Sequence, residues 1–159
     1  MINTQFIEEY DFSRAINHMV REGLSEDEAW NSAEHLRKFM MLNALYAEMP
    51  ICIVAWEALE PAWHAMILDT REYARFCQKA FGRMLHHVPD AYGTDDFRKG
   101  WAKTTELVAK HFGIFLHKDP DALTSGSPKQ WNMAAFCSRA PLEPGEDFED
   151  PLVKLAVVG

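Results

Sequence analysis

Apolar positions recur at helical spacing along nearly the whole chain, and turn signals cut that pattern into separate segments. The spacing predicts a first helix over about Thr4 to Arg21, closed at Gly23, because glycine enters the left-handed region without steric cost. Ser25 followed by Glu28 has the form of a capping box, and Ala29, Ala33, Leu36 and Met40 then repeat with helical period. Phe39 to Met49 is apolar almost all round, so this second helix is expected at the centre of the core, with Pro50 as its stop. Ile51 to Ala55 is short and β-branched with no obvious partner, which suggests a buried extended connector. Ala58 to Leu68 resumes helical spacing, with Pro61 either in the first turn or at a kink.

The clearest amphipathic stripe is Tyr73, Phe76, Cys77, Ala80, Phe81 and Met84, preceded by Asp69 and Glu72 as an expected capping pair. After Gly82 and the turn-rich stretch to Asp95, a last helix is predicted. Thr94 or Asp95 would cap it, Phe97, Trp101, Thr104 or Thr105, Val108 and Phe112 would form its buried face, and Gly113 would close it. Beyond Pro120 the pattern lapses into Thr-Ser-Gly-Ser-Pro, an aromatic patch at Trp131 and Phe136, and a Pro/Gly-containing tail. The expectation is an all-α fold: one compact helical domain of about five helices over residues 1–140, an irregular C-terminal arm, and an acidic tail at 141–159.

Charge refines this picture more than it identifies an activity. The chain has 159 residues with 24 acids against 16 bases, a net of −8, and 48% of its residues are apolar, which excludes general disorder. Met49 to Trp56 is the longest strongly apolar stretch and falls well short of the roughly 20 residues of a membrane span. Glu8, Glu9 and Asp11 stand where a secretory signal would be basic and then apolar, so a cytoplasmic protein is expected. The acidity is concentrated in Glu143, Glu146, Asp147, Glu149 and Asp150, whereas residues 71–110 hold eight bases against five acids. Three scattered cysteines, Cys52, Cys77 and Cys137, form no metal or disulfide pattern, and Cys77 on an apolar face reads as a small buried hydrophobe.

Seven histidines provide the most specific chemical signal. Glu60 lies four residues before His64, so one helical face can carry both, and a helical hairpin can bring His86 or His87 alongside. Glu60, His64 and one of His86 and His87 then form a two-histidine, one-carboxylate set, the ligand type of iron and of water-bearing zinc sites. Only one of the adjacent pair can face such a site if that segment is extended. The alternative is that these histidines are buried, hydrogen-bonded structural residues, while His18, His35, His111 and His117 are expected to be surface or packing residues. No nucleophile elbow, GxGxxG or P-loop sequence is present. Arg71, Arg75, Lys79 and Arg83, followed by Arg98, Lys99 and Lys103, form a basic stripe that could meet phosphates or an acidic protein. Helix exteriors are ordinarily charged, and the acidic total argues against general nucleic-acid binding.

The run Glu60-Pro-Ala-Trp63-His64, then Tyr73, Gly82 and His86 or His87, resembles the glycine-rich-domain-containing-protein-like family, with looser similarity from about Ala29 to Gly113. The resemblance implies a helical domain of poorly defined molecular function, here a bacterial stand-alone form, and draws attention to the Trp63 to His87 segment. Three departures stand out. Glu60 replaces the usual aspartate, Met66 stands where many plant members carry a second histidine, and the glycine-rich tract is missing, with only eight glycines in the chain.

Two functional expectations follow. One is a pocket, metal-assisted or acid/base, with His64, His86 or His87 and Glu60 as ligands and Tyr73 lining it. Zinc or iron is the expected metal and a small molecule the expected partner. The other is a non-catalytic interaction module in which these residues are structural and an unidentified protein meets the basic stripe or the C-terminal arm. Because single histidines are more often structural than functional, the second is the commoner outcome.

Overall fold

In the computed structural model, which describes residues 2–88, 93–119 and the backbone of 136–138, six α-helices carry the described part of the chain. They are α1 (Thr4–Glu9), α2 (Ser13–Arg21), α3 (Glu26–Leu45), α4 (Glu60–Leu68), α5 (Thr70–Phe81) and α6 (Asp95–Phe112), with a single 3-10 turn at Glu57–Leu59. The protein is all-α as expected. The only strand pairing among the described residues joins β1 (His86–Val88) to β2 (Phe136–Ser138), antiparallel, with His87 opposite Cys137. The acidic tail and the rest of the C-terminal arm lie outside the described residues.

The predicted first helix is two helices, which raises the expected count of about five to six. Tyr10 turns to extended backbone (ψ 133°), and the chain is redirected before Ser13. The physical cause is tertiary. Tyr10 and Phe12 turn into an aromatic cluster with Phe6 and Phe76. Arg37 Nη1, on α3, meanwhile donates to the carbonyls of Ile7, Glu8 and Tyr10 at 2.7–3.0 Å, holding the carbonyl end of α1, where Ile7 also accepts the Tyr10 N–H.

Ser25 and Glu28 form the predicted capping box at the start of α3. This helix packs against α1, α2 and α4 and buries Ala29, Ala33, Leu36, Phe39, Met40 and Leu42. It ends at Leu45, before the proline expected to stop it. The connector is buried as predicted: Ile53, Val54 and Ala55 are all inside the core, and the Val54 N–H donates to Thr104 Oγ1 at 2.8 Å. Gly100 on α6 lets the connector approach, since a Cβ there would stand 2.8 Å from the Cys52 carbonyl oxygen.

Pro61 falls in the first turn of α4, where its missing N–H costs no helical bond. The next donor, Ala62 N–H, is taken by Ser32 Oγ of α3 at 3.0 Å. The stripe of α5 is buried from Tyr73 to Phe81, and Gly82 closes the helix at φ 69°. The expected Asp69–Glu72 capping pair is not formed. Asp69 instead takes Arg14 of α2 at 2.6 Å, and Glu72 accepts from the Tyr10 hydroxyl at 2.8 Å. Both carboxylates tie α5 to the N-terminal segment, and Glu72 also pairs with Arg75 on its own helix.

Candidate metal centre

The first turn of α4 carries Glu60 and His64 on one face, with His64 Nε2 3.0 Å from Glu60 Oε2. From the other side β1 supplies His87, whose Nε2 stands 3.1 Å from His64 Nε2 and 3.5 Å from Glu60 Oε2. Three potential ligand atoms from three residues thus converge on one point, as a metal-binding group requires. Around a tetrahedral zinc with bonds of about 2.0–2.1 Å, neighbouring ligand atoms stand about 3.3 Å apart, so the observed edges bracket the value a bound ion needs.

Burial is graded across the cluster. The Glu60 side chain is 2% exposed, His87 15% and His64 44%, so the group opens to solvent on the His64 side. Burial pushes the Glu60 carboxyl upward. The hydrogen bonds and charges of His64 and His87 outweigh that, leaving it below its ordinary value and ionised at neutral pH. The hydrogen bond to Glu60 raises the His64 imidazole against the opposing effect of burial. Glu60 Oε1 is buried and has no hydrogen-bond partner among the described residues. An ionised, desolvated carboxylate with one oxygen unmatched is costly unless a cation completes it.

Of the adjacent histidines only His87 joins the cluster. Alternation along β1 leaves His86 exposed, which corrects its inclusion as a ligand. The assignment of Tyr73 to the pocket lining is also corrected. Tyr73 is 4% exposed; its hydroxyl accepts from Trp63 Nε1 at 3.0 Å and donates to the Leu85 carbonyl. Trp63 lies against the His87 ring, centroids 4.7 Å apart. The chain Trp63, Tyr73, Leu85 thereby fixes the segment that presents His87, a supporting role of the kind that orients metal ligands. The Trp63-His64 dipeptide was visible in the sequence, but nothing local shows that the indole reaches a tyrosine ten residues on.

The remaining histidines serve packing for the most part. His35 Nδ1 accepts from Trp56 Nε1 at 2.9 Å, and His111 meets the Tyr46 hydroxyl at 2.6 Å. His117 bonds the backbone of Asp119, while His18 borders a cavity beside α2. Cys77 is buried, which pushes its thiol up to about 11 and leaves it inert, whereas the Cys137 side chain lies outside the described residues. Arg71, Arg75, Lys79 and Arg83 are exposed as a solvated helix face would be. Arg75 pairs with Glu72, and Lys79 lies over the Phe6 ring.

The fold and site define a small helical protein built around a two-histidine, one-carboxylate cluster. The chain belongs to the UCP032817-like family, whose model matches residues 2–100, a span that includes Glu60, His64 and His87. No curated protein and no solved structure matches the chain.

Proposed function

We propose that the chain holds a divalent transition metal, zinc or iron, on Glu60, His64 and His87. The observation that carries this reading is the convergence of three ligand atoms within 3.5 Å around a buried carboxylate whose second oxygen has no partner. A divalent ion would neutralise Glu60 and give both imidazoles a shared acceptor for their lone pairs. Three protein ligands leave at least one position for water or a substrate oxygen, reached from the exposed His64 side. The chemistry that such an ion supplies is polarisation of a bound carbonyl or activation of a bound water.

Elemental analysis of protein purified without an affinity tag, repeated for His64→Ala, tests the proposal. Stoichiometric metal in the native protein, lost in a variant with an unchanged circular dichroism spectrum, is the expected result. Metal-free protein that remains fully folded would defeat it.

That outcome would favour a second reading, a non-catalytic interaction module in which the three side chains are a hydrogen-bonded clasp between α4 and β1. Its support is that His64 lies within hydrogen-bond distance of Glu60, and that Trp30, Leu68 and Phe115 are exposed apolar side chains available to a partner.

We also propose kinship with the glycine-rich-domain-containing-protein-like family. In its support, the spaced Trp63, Tyr73, Gly82 and His87 all belong to one hydrogen-bonded and packed unit or its turn. A bacterial cytoplasmic setting belongs to the same proposal, and the free thiols of Cys52 and Cys77 suit a reducing compartment. No helix among the described residues is long and apolar enough to cross a membrane.

A further inference from the structure

A cavity of about 500 Å³ lies between α2 and the α4–α5 junction. It is separate from the metal cluster: Ala65 and Met66 line it from the side of α4 that faces away from Glu60 and His64. Those two residues, with Phe12 and Ala15, give it a buried apolar floor. Its volume is within the range of small-molecule sites, and an apolar floor with a few convergent polar groups is their usual construction.

The charges around the rim decide what it would take. Two of the three acids there face a base, Asp69 holding Arg14 and Glu72 pairing with Arg75 while it accepts from Tyr10, whereas Asp11 accepts only from Ser13 and stands before the first turn of α2, at the opposite end of that helix from Arg21. Arg14 is used by Asp69, which leaves Arg21 as the fixed cation of this cavity without an acidic partner among the described residues, with His18 one turn before it on the same face. Both residues lie in the last turn of α2, where positive charge suits the helix dipole. The dipole accounts for their sign but not for their placement on the wall of an apolar cavity.

We propose that this cavity binds a small monoanionic carboxylic acid, its carboxylate between Arg21 and His18 and its hydrocarbon body over Phe12, Ala15 and Met66. At the Arg21 end of the cavity one fixed cation suits a singly charged head, and a guanidinium offers a carboxylate paired donors. The site is independent of the metal proposal, because it shares no residue with the cluster.

Calorimetric titration of the full chain with octanoate, octylammonium and inorganic phosphate, in the presence of a chelator, tests it. Octanoate is expected to bind saturably, with octylammonium and phosphate at least roughly tenfold weaker, and Arg21→Glu is expected to weaken octanoate roughly tenfold or more. Arg21 is exposed, so this variant should keep the native fold, and His18→Gln provides a second variant with a smaller expected loss. Absence of saturable octanoate binding up to about 1 mM, equal binding of octylammonium, or octanoate affinity indifferent to Arg21→Glu would each overturn the proposal.

Discussion

Trp63 and Tyr73 meet in the core through a 3.0 Å hydrogen bond from the indole Nε1 to the phenolic oxygen. The same hydroxyl donates to the Leu85 carbonyl, two residues before His87, so one buried oxygen couples α4, α5 and the approach to β1. Glu60 and His64 come from the first of these elements and His87 from the last. The geometry of the cluster therefore depends on a contact none of its members makes.

Tyr73→Phe should reveal that dependence. It leaves Trp63 Nε1 and the Leu85 carbonyl short of a partner in a dry environment, at a cost of about 1–3 kcal/mol, measurable by urea unfolding. If a metal is bound, its affinity should fall roughly 10- to 100-fold, as for other supporting groups behind metal ligands. A stability loss with unaltered metal affinity would confine Tyr73 to the fold.

His86 and His87 should separate cleanly. His87→Ala removes a converging nitrogen and is expected to weaken zinc binding by more than about tenfold, while His86→Ala, at an exposed position, should leave it unchanged. Competition against a chromophoric chelator measures both. Equal losses would contradict the facing that β1 assigns to the pair.

Stability in mild acid should depend on His35. Burial, then the charge of Lys38, lowers its folded pKa below the ordinary value, and its neutral Nδ1 accepts the Trp56 indole. A depressed folded pKa means that the unfolded chain binds the proton more readily. The contribution of His35 is therefore present above the unfolded value of about 6.5 and lost as pH falls from there through the lower folded value. Urea melts on either side of that pH should show a smaller acid loss for His35→Gln than for the native protein. His64, whose folded pKa is raised, contributes with the opposite sign, so the comparison must be between native and variant chains at each pH.

Gly100→Ala should destabilise the protein although glycine is ordinarily a poor helix residue. Its Cβ would lie 2.8 Å from the Cys52 carbonyl oxygen and 2.9 Å from Val54 Cγ2, and moving the connector should cost about 1–3 kcal/mol despite the gain in helix propensity. Thermal unfolding gives the sign directly, and a raised melting temperature would show that the connector yields.

Where a structural feature depends on neighbours within one helical turn, it could be read from the chain. The box at Ser25 and Glu28, the buried stripe of α5, the caps at Thr94 and Gly113, and the shared face of Glu60 and His64 all have this character. The break after α1 could not be read, because Arg37 from another helix binds the carbonyls there. Nor could the partners of Asp69 and Glu72: a carboxylate near a helix start suits a local cap, yet here two N-terminal side chains, Arg14 and Tyr10, compete for it and win.

By itself, then, the sequence determined an all-α chain, its principal helices and a short list of histidines worth attention, because helical period and capping act over three or four residues. Only the tertiary structure decided which histidine completes the cluster. Whether His86 or His87 meets Glu60 depends on the direction β1 takes after Gly82, and that direction is set by the buried Tyr73 hydroxyl reaching Leu85 across the fold. The same long-range packing left Glu60 Oε1 without a partner and opened the cavity beside α2, two features that no spacing along the chain encodes.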